Sequence, residues 1–269
     1  MTTMKFCRLG DGRTISYREQ GQGPVVVMLH GWGMSSSVFL PLMQNLSDSF
    51  RILAPDLPGH GHSEPGSGYD LPQLAADMEE WLGIIGITDS YLLGWSLGGM
   101  VALELLEHLG GRLKKLILIS TSPCFVQRDT WKSGQPATQL KVLGRQFSRD
   151  SQAALHDFFA RQFAGEDLDD HEILNLRHAL LDSSPPPTKA AALGGLDTLG
   201  RSDLRRRCWP RVPALVIHGA CDAIIPVDAG RYLSRHLPDA RWVELEHVGH
   251  APFVTRTGQC AALFKDFLA

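Results

Sequence analysis

Three features of this sequence predict an α/β fold with a mostly parallel central sheet, helices on both faces and a helical lid inserted into it. The first feature is an alternation of short apolar runs with helical patterns. The runs cover residues 25–29, 51–54, 91–93, 116–119 and 214–217, and nearly continuous apolar runs of this length suit parallel strands buried on both faces. Between them, residues 71, 74, 75, 78, 81 and 82 are apolar, which is the spacing of an amphipathic helix. The resulting βαβα order implies right-handed crossovers. The second feature is an interruption of that order. From Thr121 to about Lys189 no strand pattern occurs, and the stretch reads as helices broken by Ser122-Pro123, Gly134-Gln135-Pro136 and Pro185-Pro186-Pro187. The third is Gly94-Trp95-Ser96-Leu97-Gly98, set between a β-prone run at 90–93 and a helical run at 100–106. A strand, a sharp turn and a helix lift one serine hydroxyl above a sheet.

The remaining elements follow in order. Residues 5–17, with Asp11-Gly12 between two β-prone runs, read as an N-terminal hairpin. Strand pattern returns at Val212-Pro213-Ala214, and Trp242-Val243-Glu244-Leu245 reads as the last strand before a terminal helix. The expected organisation is a first core segment (1–121), the lid (122–189) and a second core segment (190–269).

Composition narrows the function classes. A chain of 269 residues that is 43% hydrophobic can bury a large core. Its net charge of −3 and pI near 6.4 argue against a nucleic-acid partner. The N-terminus lacks the apolar core of a signal peptide, and no stretch approaches the ~20 apolar residues of a membrane span. The five cysteines are scattered, with no C-x-x-C pair, and the expectation is five reduced thiols in a cytoplasmic, monomeric protein.

Gly94-Trp95-Ser96-Leu97-Gly98 makes Ser96 the candidate nucleophile; the alternative is a serine that only begins a helix. A serine hydroxyl needs a positioned base. His250 sits in the loop Val248-Gly249-His250-Ala251-Pro252-Phe253 after the last strand, where such residues belong; His247 is its rival. A carboxylate must fix the imidazole tautomer, and Asp222 follows the apolar run 214–217 through His218-Gly219-Ala220-Cys221. The order Ser, Asp, His is that of one known hydrolase arrangement. The other place for the acid, after the strand ending near Ile119, holds Ser120-Thr121-Ser122-Pro123-Cys124 and no carboxylate. The oxyanion of acyl transfer needs N–H donors. The backbone N–H of Leu97 and that of Trp32, in His30-Gly31-Trp32-Gly33, are the candidates. Asp56-Leu57-Pro58-Gly59-His60-Gly61-His62-Ser63 reads as a structural turn near the site, and Trp95 as a pocket wall. His30, His60 and His62 lack the spacing of a metal motif, so neither metal nor another cofactor is expected.

These segments together resemble the α/β-hydrolase superfamily: His30-Gly31-Trp32-Gly33, Asp56-Leu57-Pro58-Gly59-His60-Gly61, Gly94-Trp95-Ser96-Leu97-Gly98-Gly99, His218-Gly219 with Asp222, and His250-Ala251-Pro252-Phe253. Within it, the chain is most similar to the BioH family, the pimeloyl-[acyl-carrier-protein] methyl ester esterases of biotin synthesis. Ser122-Pro123-Cys124-Phe125, Arg128-Asp129, Trp131 and the His-Ala-Pro-Phe segment carry that likeness. The resemblance implies hydrolysis of a methyl ester at the far end of a pimeloyl chain held on acyl carrier protein. It also implies substrate contacts from Phe158, Phe159, Arg161 and Gln162, with Phe163 at helical spacing beside them. Carrier protein is acidic, so a basic patch is expected at the mouth. Lys141, Arg145 and Arg149 recur every four residues, and basic side chains outnumber acidic ones between Arg128 and Arg161; Arg205-Arg206-Arg207 is a second candidate. The same triad would serve a generic short-chain esterase, a carbon–carbon bond hydrolase or a perhydrolase. A non-enzymatic ligand binder on the same fold would also retain it.

Overall fold

The computed structural model describes residues 2–269. Its strands are β1 (Thr3–Arg8), β2 (Thr14–Gln20), β3 (Val25–Leu29), β4 (Arg51–Pro55), β5 (Ser90–Trp95), β6 (Leu113–Ile119), β7 (Ala214–Gly219) and β8 (Ala240–Leu245). Its helices are α1 (Leu40–Leu46), α2 (Leu71–Ile84), α3 (Leu97–Leu109), α4 (Ala137–Arg149), α5 (Ser151–Arg161), α6 (Asp170–Leu180), α7 (Lys189–Arg201), α8 (Val227–His236), α9 (Pro252–Thr255) and α10 (Thr257–Leu268).

The strands form one eight-stranded sheet in the order β1-β2-β4-β3-β5-β6-β7-β8. β1, β2 and β4 pair antiparallel in sequence, and every other pairing is parallel. The hairpin turns where Asp11-Gly12 placed it, with the Asp11 carboxylate accepting the Arg13 N–H. Leu116, Ile117, Leu118 and Ile119 are all fully buried. Successive strand residues point to opposite faces, so both faces of the sheet are covered there. Each such side chain contributes about 1.5–3 kcal/mol on burial. Among the helices, α3 lies on β5 and packs against α2, α8 lies on β7 and β8, and α1 packs against α10.

Helix starts follow local chemistry. Asp70 caps α2 by accepting the Gln73 N–H, and Pro72 occupies its first turn. Asp150 caps α5 through the Ala153 N–H. Asp169 and Glu172 form a reciprocal capping box at α6.

Between β6 and β7 the chain builds α4 to α7, with only isolated bridges at Val126–Gln135 and Arg128–Trp131. The last of these helices, α7, begins at Lys189 and packs against α4. The order of strands reverses between β3 and β5, which lie side by side with Leu29 opposite Gly94. A ligand crevice forms at the carboxyl ends of strands at such a switch point, and both the 30–33 loop and Ser96 emerge there.

Candidate active site

Ser96 ends β5 and precedes α3, with φ 56° and ψ −120°. This left-handed conformation costs on the order of 1–3 kcal/mol for a residue with a Cβ. The surroundings hold it in place. The Ser96 carbonyl accepts from Thr121 Oγ1 at 2.7 Å and from the Gly99 N–H at 2.9 Å. Gly98 lets α3 press on the end of β3, since a Cβ there would lie 2.2 Å from the Leu29 carbonyl oxygen. A Cβ on Gly31 would come 3.1 Å from the Ser96 Cβ, which sets the 30–33 loop directly against the nucleophile.

His250 and Asp222 meet as the sequence order suggested. His250 Nδ1 donates to Asp222 Oδ2 at 2.8 Å, and both side chains are buried. The Asp222 carboxylate is saturated with donors. Oδ1 accepts the N–H groups of Ile224 and Ile225, each at 2.8 Å. Oδ2 also lies 3.0 Å from His218 Nε2, which donates to the Ile225 carbonyl at 2.9 Å as well. Burial opposes a charge on Asp222, but His250 and His218 override it and hold its pKa below the usual carboxylate value. The carboxylate is therefore ionised throughout the neutral range. It selects the His250 tautomer whose Nε2 is free to accept a proton. That Nε2 is buried and has no hydrogen-bond partner among the described residues. The rival His247 is exposed.

The backbone of His250 is fixed from two sides. Its N–H donates to the Gln162 carbonyl at 2.7 Å, and its carbonyl accepts from Trp95 Nε1 at 2.9 Å. Trp95 thus differs from the expected pocket wall. It is fully buried beside the histidine, with ring centroids 5.5 Å apart, and packs on Phe253.

Neither the Leu97 N–H nor the Trp32 N–H donates to another group among the described residues. Leu97 is the first residue of α3, where no carbonyl lies one turn back to accept its N–H. The helix N-terminus adds a partial positive charge at the same point. Trp32 follows Gly31, and the Gly31 carbonyl accepts from His30 Nδ1 at 2.8 Å while His30 Nε2 accepts the Leu57 N–H at 2.9 Å. The Gly31 carbonyl and the Trp32 N–H belong to one planar peptide, so His30 sets the direction of the donor. Burial holds the His30 pKa below its usual value and that of His60 down to about 3, which keeps both rings neutral. Asp56 is a structural hub, accepting from Ser16 Oγ, Ser36 N–H and His62 N–H at 2.7, 2.7 and 3.0 Å.

The helices α4, α5 and α7 reach this loop through Trp32. Its Nε1 donates to the Ala192 carbonyl of α7 at 2.8 Å, and its ring lies edge-to-face on Phe147 of α4 and Phe158 of α5. Phe158 lines a narrow apolar cleft with Phe125, Leu140, Leu143 and Ile224, and Arg161 stands at it. Phe159 and Phe163 turn inward and pack edge-to-face on each other at 5.2 Å, so the three phenylalanines do not share one wall. Gln162 is fully buried, and neither its Oε1 nor its Nε2 has a partner. Lys141, Arg145 and Arg149 are exposed and line one groove with Leu193 of α7.

Sequence reasoning missed two contacts to this centre. His218 was visible only as part of His218-Gly219, and its bond to Asp222 depends on how the turn after β7 folds back. Glu166 was visible only within an acidic run.

A family model for the alpha/beta hydrolase fold matches residues 24–257. The chain belongs to the α/β-hydrolase family. Within this family it is 36% identical over 253 residues to the pimeloyl-[acyl-carrier protein] methyl ester esterase of Nitrosomonas europaea, covering 93% of this chain and 98% of that one. It is 36% identical over 259 residues to the enzyme of the same name from Aeromonas hydrophila, covering 95% and 99%. Among solved α/β-hydrolase structures, the esterase EaEST from Exiguobacterium antarcticum superposes with a TM-score of 0.90 at 25% identity, over 99% of this chain and all of that one. The enol-lactonase from Burkholderia xenovorans LB400 superposes with a TM-score of 0.84 at 24% identity, over 98% and 99%. That second likeness speaks to the fold.

Proposed function

We propose that this protein is a serine carboxylesterase that hydrolyses the methyl ester of pimeloyl-acyl-carrier protein in biotin synthesis. The observation that carries the proposal is near-full-length similarity to esterases of that name; it is supported by the His250 Nδ1–Asp222 Oδ2 bond of 2.8 Å and by Ser96 standing at the turn between β5 and α3.

In this reading His250 Nε2 takes the Ser96 hydroxyl proton as Oγ attacks the ester carbonyl carbon. The oxygen becomes an oxyanion between the N–H groups of Trp32 and Leu97. Asp222 stabilises the imidazolium and stays ionised itself. When the tetrahedral intermediate collapses, His250 returns the proton to the departing methoxide. Methanol leaves, and the acyl group stays on Ser96. Water then attacks that ester with His250 again as base, giving the free carboxylate and restoring the serine. No metal or other cofactor enters.

Residues 122–189, with α4 to α6, act as the lid, and α7 packs against α4 beside it. The narrow cleft beside Phe158 opens to take the acyl chain, with Arg161 at its edge and Phe159 contributing from the same helix. The buried amide of Gln162 supplies a donor and an acceptor to the bound substrate. Lys141, Arg145 and Arg149 form the docking groove for the acidic carrier. The enzyme works as a monomer in the cytoplasm. Its five free thiols suit a reducing compartment, and among the described residues no helix is long and apolar enough to cross a membrane.

The docking groove is tested by charge reversal. Lys141→Glu with Arg145→Glu is expected to raise KM for a carrier-linked ester roughly tenfold at low salt, less at high salt, where exposed charges are screened. Hydrolysis of p-nitrophenyl acetate should be unaffected. Equal losses on both substrates would remove the groove from the carrier's path.

A further inference from the structure

Glu166 is a buried acid that the reaction scheme leaves without a task. It lies just beyond α5, and its side chain is fully shielded from solvent. Oε1 accepts the Gly249 N–H at 2.9 Å. Oε2 is buried without a hydrogen-bond partner, and the Arg256 guanidinium stands 4.0 Å from it. Burying a carboxylate so sparsely paired is costly, and nothing in the packing of the lid itself calls for one here.

Its position suggests the use. Glu166 and Gln162 lie on one segment, and they hold two successive amides of the histidine loop: Gly249 N–H on Glu166 Oε1, and His250 N–H on the Gln162 carbonyl. The contact is close, since a Cβ on Gly249 would lie 2.3 Å from the Gln162 carbonyl oxygen. The same segment also meets the acid's loop, where a Cβ on Gly165 would lie 3.0 Å from the Cβ of Cys221, the residue before Asp222.

We propose that Glu166 is a positioning residue for His250, fixing the Gly249-His250 backbone so that the imidazole stands correctly between Asp222 and Ser96. This rests on the triad reading above. What matters is an acceptor oxygen at this place and reach, more than the charge. The end of α5 is then a fixed post that ties the lid to the catalytic loop. A loop displaced by about 1 Å loses on the order of a hundredfold in rate, so partial release should cost roughly tenfold.

The test uses p-nitrophenyl acetate, a substrate too small to need the lid or the carrier groove. Wild-type turnover, and its loss in Ser96→Ala, first establish the triad independently. Glu166→Leu removes the acceptor. Glu166→Asp keeps the charge but withdraws the oxygen by one methylene. Glu166→Gln keeps an oxygen at the original reach without the charge. The expected result is a roughly tenfold lower kcat in the Leu and Asp variants with KM little changed, and recovery of most of that loss in the Gln variant. If the Leu variant does not fold, the Asp and Gln pair decides alone. Overturning results are an Asp variant at the wild-type kcat, a Gln variant as slow as Asp, or losses that follow KM instead of kcat.

Discussion

Ser96→Ala is expected to lower ester turnover by at least about a thousandfold while the fold stays intact. The reason is local. Ser96 is 5% exposed, and its hydroxyl takes part in none of the hydrogen bonds that hold the elbow; these use its backbone. Alanine keeps the Cβ and accepts the same φ of 56° at the same cost. What disappears is the atom that attacks the carbonyl. The Trp32 and Leu97 donors and the substrate cleft remain, so a small residual rate above that in water is expected. Mass spectrometry after mixing with p-nitrophenyl acetate should show one acetyl group per wild-type chain and none on the variant. The measurement also separates an enzyme from a ligand binder on the same fold, because an enzyme releases many equivalents of p-nitrophenol per site. Near-normal turnover in Ser96→Ala would place the nucleophile elsewhere.

Asp222→Asn is expected to lower kcat by about ten-thousandfold, on the order of 5.5 kcal/mol of transition-state stabilisation. Asparagine fits the space, and its Oδ1 still serves the Ile224 and Ile225 N–H groups. Its amide N–H₂ then replaces the oxygen that faces His250 Nδ1 and His218 Nε2. His250 must present a lone pair at Nδ1 and carry its proton on Nε2, where it cannot take one from Ser96. The His218 N–H meets a second donor, which further disturbs the site. In the wild type, burial pushes against the Asp222 charge and the two imidazoles outweigh it, so this group stays ionised at pH values below its usual range. Protonation of Asp222 should therefore not shape the wild-type rate profile in the neutral range. A kcat within tenfold of wild type in Asp222→Asn would mean that another carboxylate orients the histidine, and the segment after β6 offers none.

Much of this architecture is legible in the sequence, for physical reasons. Parallel strands buried on both faces must be apolar without interruption, so 25–29 and 116–119 declare themselves. A chain that reverses sharply between strand and helix needs small residues, so the elbow around Ser96 stands out. The loops after β3, β7 and β8 can be ranked by the residues they carry. What is not legible depends on contacts across long separations. Trp95 was expected to face the pocket, and only the folded chain shows it buried beside His250. Helical spacing groups Phe158, Phe159 and Phe163, yet the first meets Trp32 while Phe159 and Phe163, the latter beyond the end of α5, pack on each other. His218 reaches Asp222 because the turn after β7 folds back through Ile224 and Ile225. Glu166 looks like one more solvated charge in the run that ends at Glu172, until Gly249 is found above it.

The most direct measurement is steady-state hydrolysis of pimeloyl-acyl-carrier-protein methyl ester beside p-nitrophenyl acetate and butyrate. The expected result is a kcat/KM for the carrier-linked ester well above both small esters, with stoichiometric methanol and loss of all three activities in Ser96→Ala. Good turnover of the small esters with none of the carrier-linked one would contradict the assignment and leave a general esterase.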